Sequence, residues 1–414
     1  MTAHLQAMAL GRASLAVHAP IAGAEAVERV RAAAAPLRGA RVLHVSASGT
    51  GARVPELLGA LLPLEADAGL EVEWRVLFGG PELADVARQL HDGLQGAETA
   101  IDDAAWEAYR TSCEDAAGRL PGADLVILHD PGTLGLAPAE AAAPSTVWRC
   151  HVDASRPEGA ALGRALAAAR SCAACVLPHE SFAPEQLRGS GLRAAAPGID
   201  PLSPRNVETA PRLAGRVVRP LGVDLDHPFI CQAMRFDRWQ DPHEAIDAFR
   251  LAREELGVLQ LVLAGALEAD DAAGWRVVKE VSDYAGGEPG LHVLTSYEGV
   301  GNFELGALQR LARVALARSL RAGFGLAAAE ALWKGTPVVG TPDGGLPLQV
   351  RDGVDGYLTE GPEETAARLL ELLRDPGLAI EMGVAGRERV RERFLITRAL
   401  EDELRALGDT VGAP

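Results

Sequence analysis

Two glycines, Gly323 and Gly325, stand directly ahead of a run of strong helix formers in "SLRAGFGLAAAEALWKGTPVVG", residues 319–340. Glycine lets a backbone come close to whatever it faces, and the unpaired N–H groups at a helix start attract an anion. The same pattern suits a tight turn with no ligand. Phe324 and Leu326 complete that turn, and Glu330 follows inside the helix, either aimed at a ligand or simply solvated. Ala322 stands eight residues before Glu330, where a second carboxylate would complete a pair. Beyond the apolar "PVVG", the turn "GTPDGGLPLQV" offers Gly344 and Gly345 as a second glycine rim. Upstream, "QAMRFDRWQDPHEA" puts Arg235 just past an apolar strand, with Arg238 close by. An arginine at that point either neutralises a diphosphate through charge-assisted hydrogen bonds or serves as a surface ion pair.

The N-terminal half has matching features. "VSASGTGARVPELL" carries Gly51 and Arg53 between the first apolar run and a helix, though a lone GxG is weak evidence. "LVILHDPGTLG" ends a strand in His129 and Asp130, and "TVWRCHVDAS" ends the next in His151 and Asp153. Polar residues at the ends of adjacent apolar strands are placed to bind hydroxyls or to manage protons. Each histidine alone reads rather as a satisfied core residue, and it is the two pairs together that favour the functional reading. The cysteines are Cys113, Cys150, Cys172, Cys175 and Cys231, an odd number that argues against a disulfide framework. Cys172 and Cys175 have CxxC spacing but no second pair, so they read as buried small residues, with a redox or metal role as the alternative.

These positions need a scaffold that sends several strand ends the same way. The expected strands in the first half are 41–45, 71–78, 124–130, 146–151 and 174–178, with helical stretches between them. Near-continuous apolar strands joined by helices indicate a parallel sheet covered on both faces. The stretch 195–222 breaks this period with Pro, Gly and Asn and is the expected linker. The alternation then resumes with "HPFICQAMRF", the helix "PHEAIDAFRLAREELG", "LQLVLAG", "GLHVLTS", "ARVALARS" and two terminal helices. The expected fold class is therefore α/β, with two doubly wound Rossmann-like domains facing across a cleft. Domain limits are placed at 1–208 and 209–392, leaving 393–414 as a closing helix.

Composition narrows the partners. The chain has 414 residues, 48% hydrophobic and 23% charged, and the formal net charge is −17. Such a charge repels polyanions, and no Lys/Arg run is interleaved with aromatics, so nucleic acid is not an expected partner. No apolar stretch is long enough for a membrane span and no leader is evident at the N-terminus, which gives a cytoplasmic expectation. Homodimer formation stays open. A small phosphorylated ligand remains compatible with the acidic surface, because local arginines and helix N-termini act at short range.

In this order, "WRCHVD", "PGIDPLSPRNVE", "RFDRWQD", "SLRAGFGL", "EALWKGTPVVGT", "GGLPLQVRDGVDGYL" and "EMGVAGRERVRERF" resemble the trehalose-synthase group of retaining glycosyltransferases. That group lies in family four of the GT-B fold, and the likeness runs from about residue 41 to 400. The resemblance implies a nucleoside-diphosphate sugar held mainly by the C-terminal domain, an acceptor held mainly by the N-terminal one, and no metal or other cofactor. It implies that 393–414 crosses back to the first domain. Residue by residue, it implies that Arg235 holds the donor diphosphate and that Glu330 binds the nucleotide ribose. Gly323, Phe324, Gly325, Leu326, Gly344 and Gly345 would supply contacts to phosphate or sugar, and His151 would sit at the donor sugar. Asp130 would lie on the acceptor side, with His129 and Asp153 as its neighbours.

Three departures fall inside this set. Gln240 replaces a lysine expected five residues after Arg235, Ala322 replaces the first carboxylate of a Glu-x7-Glu pair, and "GTGARVPE" replaces a run of three glycines. Arg53 or Arg238 would have to compensate for the missing lysine. The leading expectation is accordingly a retaining, metal-independent glycosyltransferase with an altered sugar site, acting with a modified sugar on a small acceptor in specialised metabolism such as antibiotic biosynthesis. One alternative is trehalose synthesis from a nucleoside-diphosphate glucose and glucose. Another is a non-catalytic GT-B scaffold.

Overall fold

The alternating apolar runs form two sheets in the computed structural model, which describes residues 3–49, 53–137, 145–189, 191–267, 269, 271–321 and 323–411. Contacts divide the chain into Met1–Gly198 with Ile396–Pro414, and Ile199–Leu395.

In the first unit the strands are β1 His4–Met8, β2 Arg41–Ser46, β3 Glu71–Phe78, β4 Leu125–His129, β5 Ser145–Arg149, β6 Ala174–Leu177 and β7 Leu192–Ala194. Their spatial order is β1-β3-β2-β4-β5-β6-β7. Every neighbouring pair is parallel except β1, which runs antiparallel to β3. All five residues of β4 are buried, as a strand covered on both faces requires. Alternation sends Val42, Leu125, Ile127 and Val147 to one face, beneath the helices Ala24–Ala34, Arg53–Asp67 and Ile396–Val411. Leu43, Val45, Val126 and Leu128 go to the other, beneath the helices Pro81–Leu94 and Asp103–Ala117.

The second unit contains β8 Phe229–Ala233, β9 Gln260–Ala264, β10 Leu291–Leu294, β11 Val314–Ala317, β12 Val338–Gly340 and β13 Gly356–Leu358. Its order, β10-β9-β8-β11-β12-β13, reads 3-2-1-4-5-6 when the strands are counted within the unit, and all pairs are parallel. This is the Rossmann winding, which reverses between β8 and β11. Among the described residues no helix is long and apolar enough to cross a membrane.

Three expectations need correction. The stretch 195–222 is not all linker, because Pro211–Val218 forms a helix with Pro211 in its first turn and Ala214 and Val218 buried. Proline costs nothing there, since that N–H has no helical partner. The first boundary falls at 198/199 rather than 208/209, and the second at 395/396 rather than 392/393. Residues after 198 attach to the second unit: the Ile199 N–H donates to the Phe394 carbonyl at 2.8 Å, and the Trp333 indole donates to the Asn206 carbonyl at 3.1 Å. The edge strands β1 and β7 were not expected; β1 is mostly exposed and exists only by pairing with β3.

The closing helix Ile396–Val411 belongs to the first unit. Leu400, Leu404 and Leu407 are fully buried at i, i+4 and i+7 spacing. Between them Glu403 accepts from the Arg149 Nε at 2.9 Å, a buried ion pair between the helix and β5.

Candidate functional site

In the second unit the winding reverses between β8 and β11, and the carboxyl ends of strands at such a point are where open α/β sheets bind ligands. The loops leaving the two strands are tied together. The Leu320 N–H donates to the Trp239 carbonyl at 2.9 Å, Asp241 N–H to the Arg318 carbonyl at 3.2 Å, and Gln240 bridges to Ser319. Beneath them Gln232, at the buried end of β8, donates to the Arg318 carbonyl at 3.2 Å and accepts from the Arg318 N–H at 3.2 Å. Arg318 itself is fully buried, pairing with Glu244 and donating to Thr359. Nothing local marks Arg318 in the sequence as a core residue.

On this base Arg235 is exposed, its Nε 3.6 Å from Asp237. Arg238 is also exposed and lies 5.5 Å from the Trp239 ring centroid, so both guanidinium groups are accessible to an anion. The two glycine turns are stitched to one another. Gly325 caps the helix Leu326–Trp333 in the left-handed region, at φ 70°, and the Gly345 N–H donates to the Gly323 carbonyl at 3.0 Å. A Cβ on Gly345 would stand 2.3 Å from the Phe324 carbonyl oxygen, so only glycine fits between the turns. Gln349, buried, ties both turns to the helix by donating to Phe324 and accepting from the Ala329 N–H at 3.0 Å. Gly344 has φ 59°.

Glu330 is buried, not a solvated helical carboxylate. Its Oε2 lies 3.5 Å from Arg205, and the Lys334 ammonium donates to its backbone carbonyl at 2.9 Å. Burial pushes Lys334 down to about 7, with Glu330 acting in the opposite sense. Arg205 was missed as a site neighbour; its place in "SPRNVE", within the stretch expected to be linker, was the available signal.

In the first unit the winding reverses between β2 and β4, again at the carboxyl ends. Asp130, at the end of β4, is the one described non-glycine residue with positive φ, at 64°. Its peptide is held by the Arg149 carbonyl, which accepts from the Asp130 N–H at 2.9 Å, and its Oδ1 accepts from the His151 N–H at 2.9 Å. With ψ at 168°, this geometry is close to one that only glycine adopts freely, and it costs of order 1–3 kcal/mol. Strain of this kind concentrates where a side chain must be aimed. Burial raises the Asp130 carboxyl, which His91 and the His151 N–H partly offset.

His129 and His151 differ sharply in what they offer. His129 is 1% exposed and both its ring nitrogens are engaged, by His44 and by His151, each at 3.0 Å. It cannot also hold an acceptor hydroxyl, which corrects the expectation. Asp153 is likewise buried, with its Oδ1 accepting from the Ser155 N–H at 2.9 Å in its own turn. His151 is half-buried, and among the described residues its Nδ1 has no hydrogen-bond partner. Burial holds both imidazoles well below their ordinary range, reinforced at His129 by His44 and at His151 by Arg149. Gly51, the Arg53 side chain and Ala322 lie outside the described residues.

The remaining sulfur chemistry is quiet. Burial pushes the Cys172 thiol to about 12 and the Cys175 thiol to about 11, so neither is a thiolate at neutral pH.

A chain with one parallel α/β unit and one Rossmann-wound unit has the two-domain composition of a GT-B glycosyltransferase. A solved UDP-forming α,α-trehalose-phosphate synthase from Burkholderia xenovorans shares this fold. It matches with a TM-score of 0.68 at 14% identity, over 91% of this chain and 100% of that one. Residues 44–184 match the family described as trehalose synthase, N-terminal domain, and residues 217–389 match glycosyl transferases group 1. The trehalose synthase of Rubrobacter xylanophilus is 38% identical, over 99% of this chain and 100% of its own length. That of Pyrococcus horikoshii is 33% identical, over 96% and 97%. The chain belongs to the trehalose synthase family of GT-B glycosyltransferases.

Proposed function

We propose that this glycosyltransferase makes trehalose, transferring glucose from a nucleoside diphosphate to free glucose with retention at the anomeric carbon. The observation that carries this reading is the end-to-end match to enzymes named trehalose synthase. It supports this reading better than the expectation of a modified sugar and a specialised-metabolite acceptor. In this reading Arg235, with Arg238, binds the donor diphosphate. The turn at Gly323–Leu326 and the Gly344 N–H supply backbone donors, with Gly345 holding the two turns together, and Glu330 takes the ribose hydroxyls. His151 binds a sugar hydroxyl beside Asp130. Catalysis then rests on positioning and on stabilising the departing diphosphate, without a protein nucleophile or a metal.

Incubating the chain with glucose and UDP-, ADP-, GDP- or dTDP-glucose tests the reading. Trehalose in the α,α configuration is expected from at least one donor; its absence with all four overturns the reading. The substitutions at Gln240 and Ala322 keep a second reading in view, in which the donor sugar lacks hydroxyls that a carboxylate at 322 would grip. Turnover of a deoxy or amino sugar nucleotide faster than of the glucose donors would favour it.

A further inference from the structure

His44 on β2, His129 at the end of β4 and His151 just past β5 come from three neighbouring strands, so the sheet places their rings side by side. The rings stack with centroids 5.3 Å apart at each step and planes inclined by 18° and 16°. His44 Nδ1 lies 3.0 Å from His129 Nε2, and His129 Nδ1 lies 3.0 Å from His151 Nε2. At the inner end His44 Nε2 lies 3.0 Å from Glu65 Oε2. Glu65, on the helix Arg53–Asp67, is fully buried, and its Oε1 has no hydrogen-bond partner among the described residues. Neither His44 nor Glu65 was singled out in the sequence.

Hydrogen-bond chemistry gives this row a direction. A neutral imidazole donates from one nitrogen and accepts at the other, whereas an ionised carboxylate only accepts. With Glu65 ionised and His44 neutral, His44 must donate to it from Nε2 and accept at Nδ1. His129 must then donate from Nε2 and accept at Nδ1, and His151 must donate from Nε2. The nitrogen left over is His151 Nδ1, at the carboxyl end of the sheet, with an unshared pair.

We propose that Glu65, His44 and His129 are positioning residues that fix His151 as its Nε2–H tautomer, so that its Nδ1 lone pair accepts a hydrogen bond from a sugar hydroxyl of the substrate. The proposal rests on the glycosyltransferase reading. A carboxylate behind a histidine performs the same service in hydrolytic triads, where the wrong tautomer is severely disabling. Here two further imidazoles extend the carboxylate's reach across the sheet.

The surroundings favour neutral rings. Burial disfavours a second proton on His129 and on His151, and Arg149 opposes it at both. Other titratable groups near the row are Asp130, whose Oδ1 accepts from the His151 N–H, His91, which acts on His151 and Asp130, and Glu403, which is paired with Arg149 and lies close enough to Glu65 to feel its charge. Reversal of the row would add one proton to it, held between Glu65 and His44 Nε2, with the other bridging protons moved to the inner nitrogen of each pair, and would leave His151 with Nδ1–H.

The test uses the full chain with 15N-labelled histidine. Long-range 1H–15N spectra at pH 7.5 report which nitrogen of each ring carries hydrogen, and His151→Gln assigns the relevant signals. The wild type is expected to show His151 as Nε2–H. Glu65→Gln, whose amide both donates and accepts, is expected to let the Nδ1–H form appear. It should also lower kcat roughly tenfold or more while the donor dissociation constant stays within about twofold. His151 found as Nδ1–H or doubly protonated in the wild type overturns the proposal without any variant. So does Glu65→Gln with either the tautomer or kcat unchanged. If the wild type transfers sugar from no donor, the transferase reading fails and takes with it the sugar hydroxyl at Nδ1. The nitrogen shifts then still decide whether the row has the stated direction.

Discussion

His151 carries the most chemistry in the first unit, and its environment gives it a defined pH response. Burial lowers its affinity for a proton below that of a free imidazole, whose ordinary value is 6.5. His129 behaves in the same way for the same reason. As pH falls below 6.5 the unfolded chain binds protons that the folded chain refuses, so stability from these groups is intact above 6.5 and is lost progressively below it. If the neutral ring is the working form, as proposed, the acid limb of kcat is expected below pH 6.5. A profile from pH 5 to 9, with melting temperatures at each point, checks both effects; an acid midpoint at or above 6.5 would contradict the buried, neutral ring.

At the level of elements, the proposed donor site is a pair of turns whose backbones touch. Gly345→Ala would push a methyl group to 2.3 Å from the Phe324 oxygen and 2.6 Å from the Phe324 Cα. The turns must then separate, at an expected cost of about 1–3 kcal/mol in stability and with weakened donor binding. Gly163→Ala is the control, since nothing lies within 4 Å of its Cβ in the helix Gly159–Ala169. That change is expected to be neutral or stabilising by about 0.5–1 kcal/mol. Urea unfolding and calorimetric titration with a nucleotide sugar compare the two, and equal behaviour would show that the close approach is unimportant. The glycine turns were legible because Gly, helix formers and an apolar strand follow each other locally. Their mutual contact was not, because Gln349 and the Gly323–Gly345 hydrogen bond join segments more than twenty residues apart.

For the whole molecule, the two units differ in how much of the chain each needs. Ile199–Leu395 is continuous, with its own six-stranded sheet and core. Expressed alone it is expected to melt in one cooperative transition and to bind a nucleotide sugar without transferring it. Met1–Gly198 lacks the helix that buries Leu400, Leu404 and Leu407, and would leave Arg149 buried without Glu403. Breaking such a pair costs roughly 3–5 kcal/mol, so that fragment is expected to show no cooperative melt. Circular dichroism of both fragments decides this. A stable Met1–Gly198 would mean that the closing helix is dispensable.

The sequence by itself determined the α/β class, the parallel sheets and the helices that follow them, because apolar periodicity and strand-end polarity are local properties. Motif order was enough to reach the family. Tertiary structure alone decided the ends of the units, since the attachments of Ile199 and Asn206 come from residues far along the chain. It also decided that His129 is an internal member of a hydrogen-bonded row and not an acceptor ligand. Glu65, His44, His129 and His151 lie on four separate elements, and only the β2-β4-β5 strand order, with a helix packed over it, brings their nitrogens and carboxylate within 3.0 Å of one another in sequence along the row.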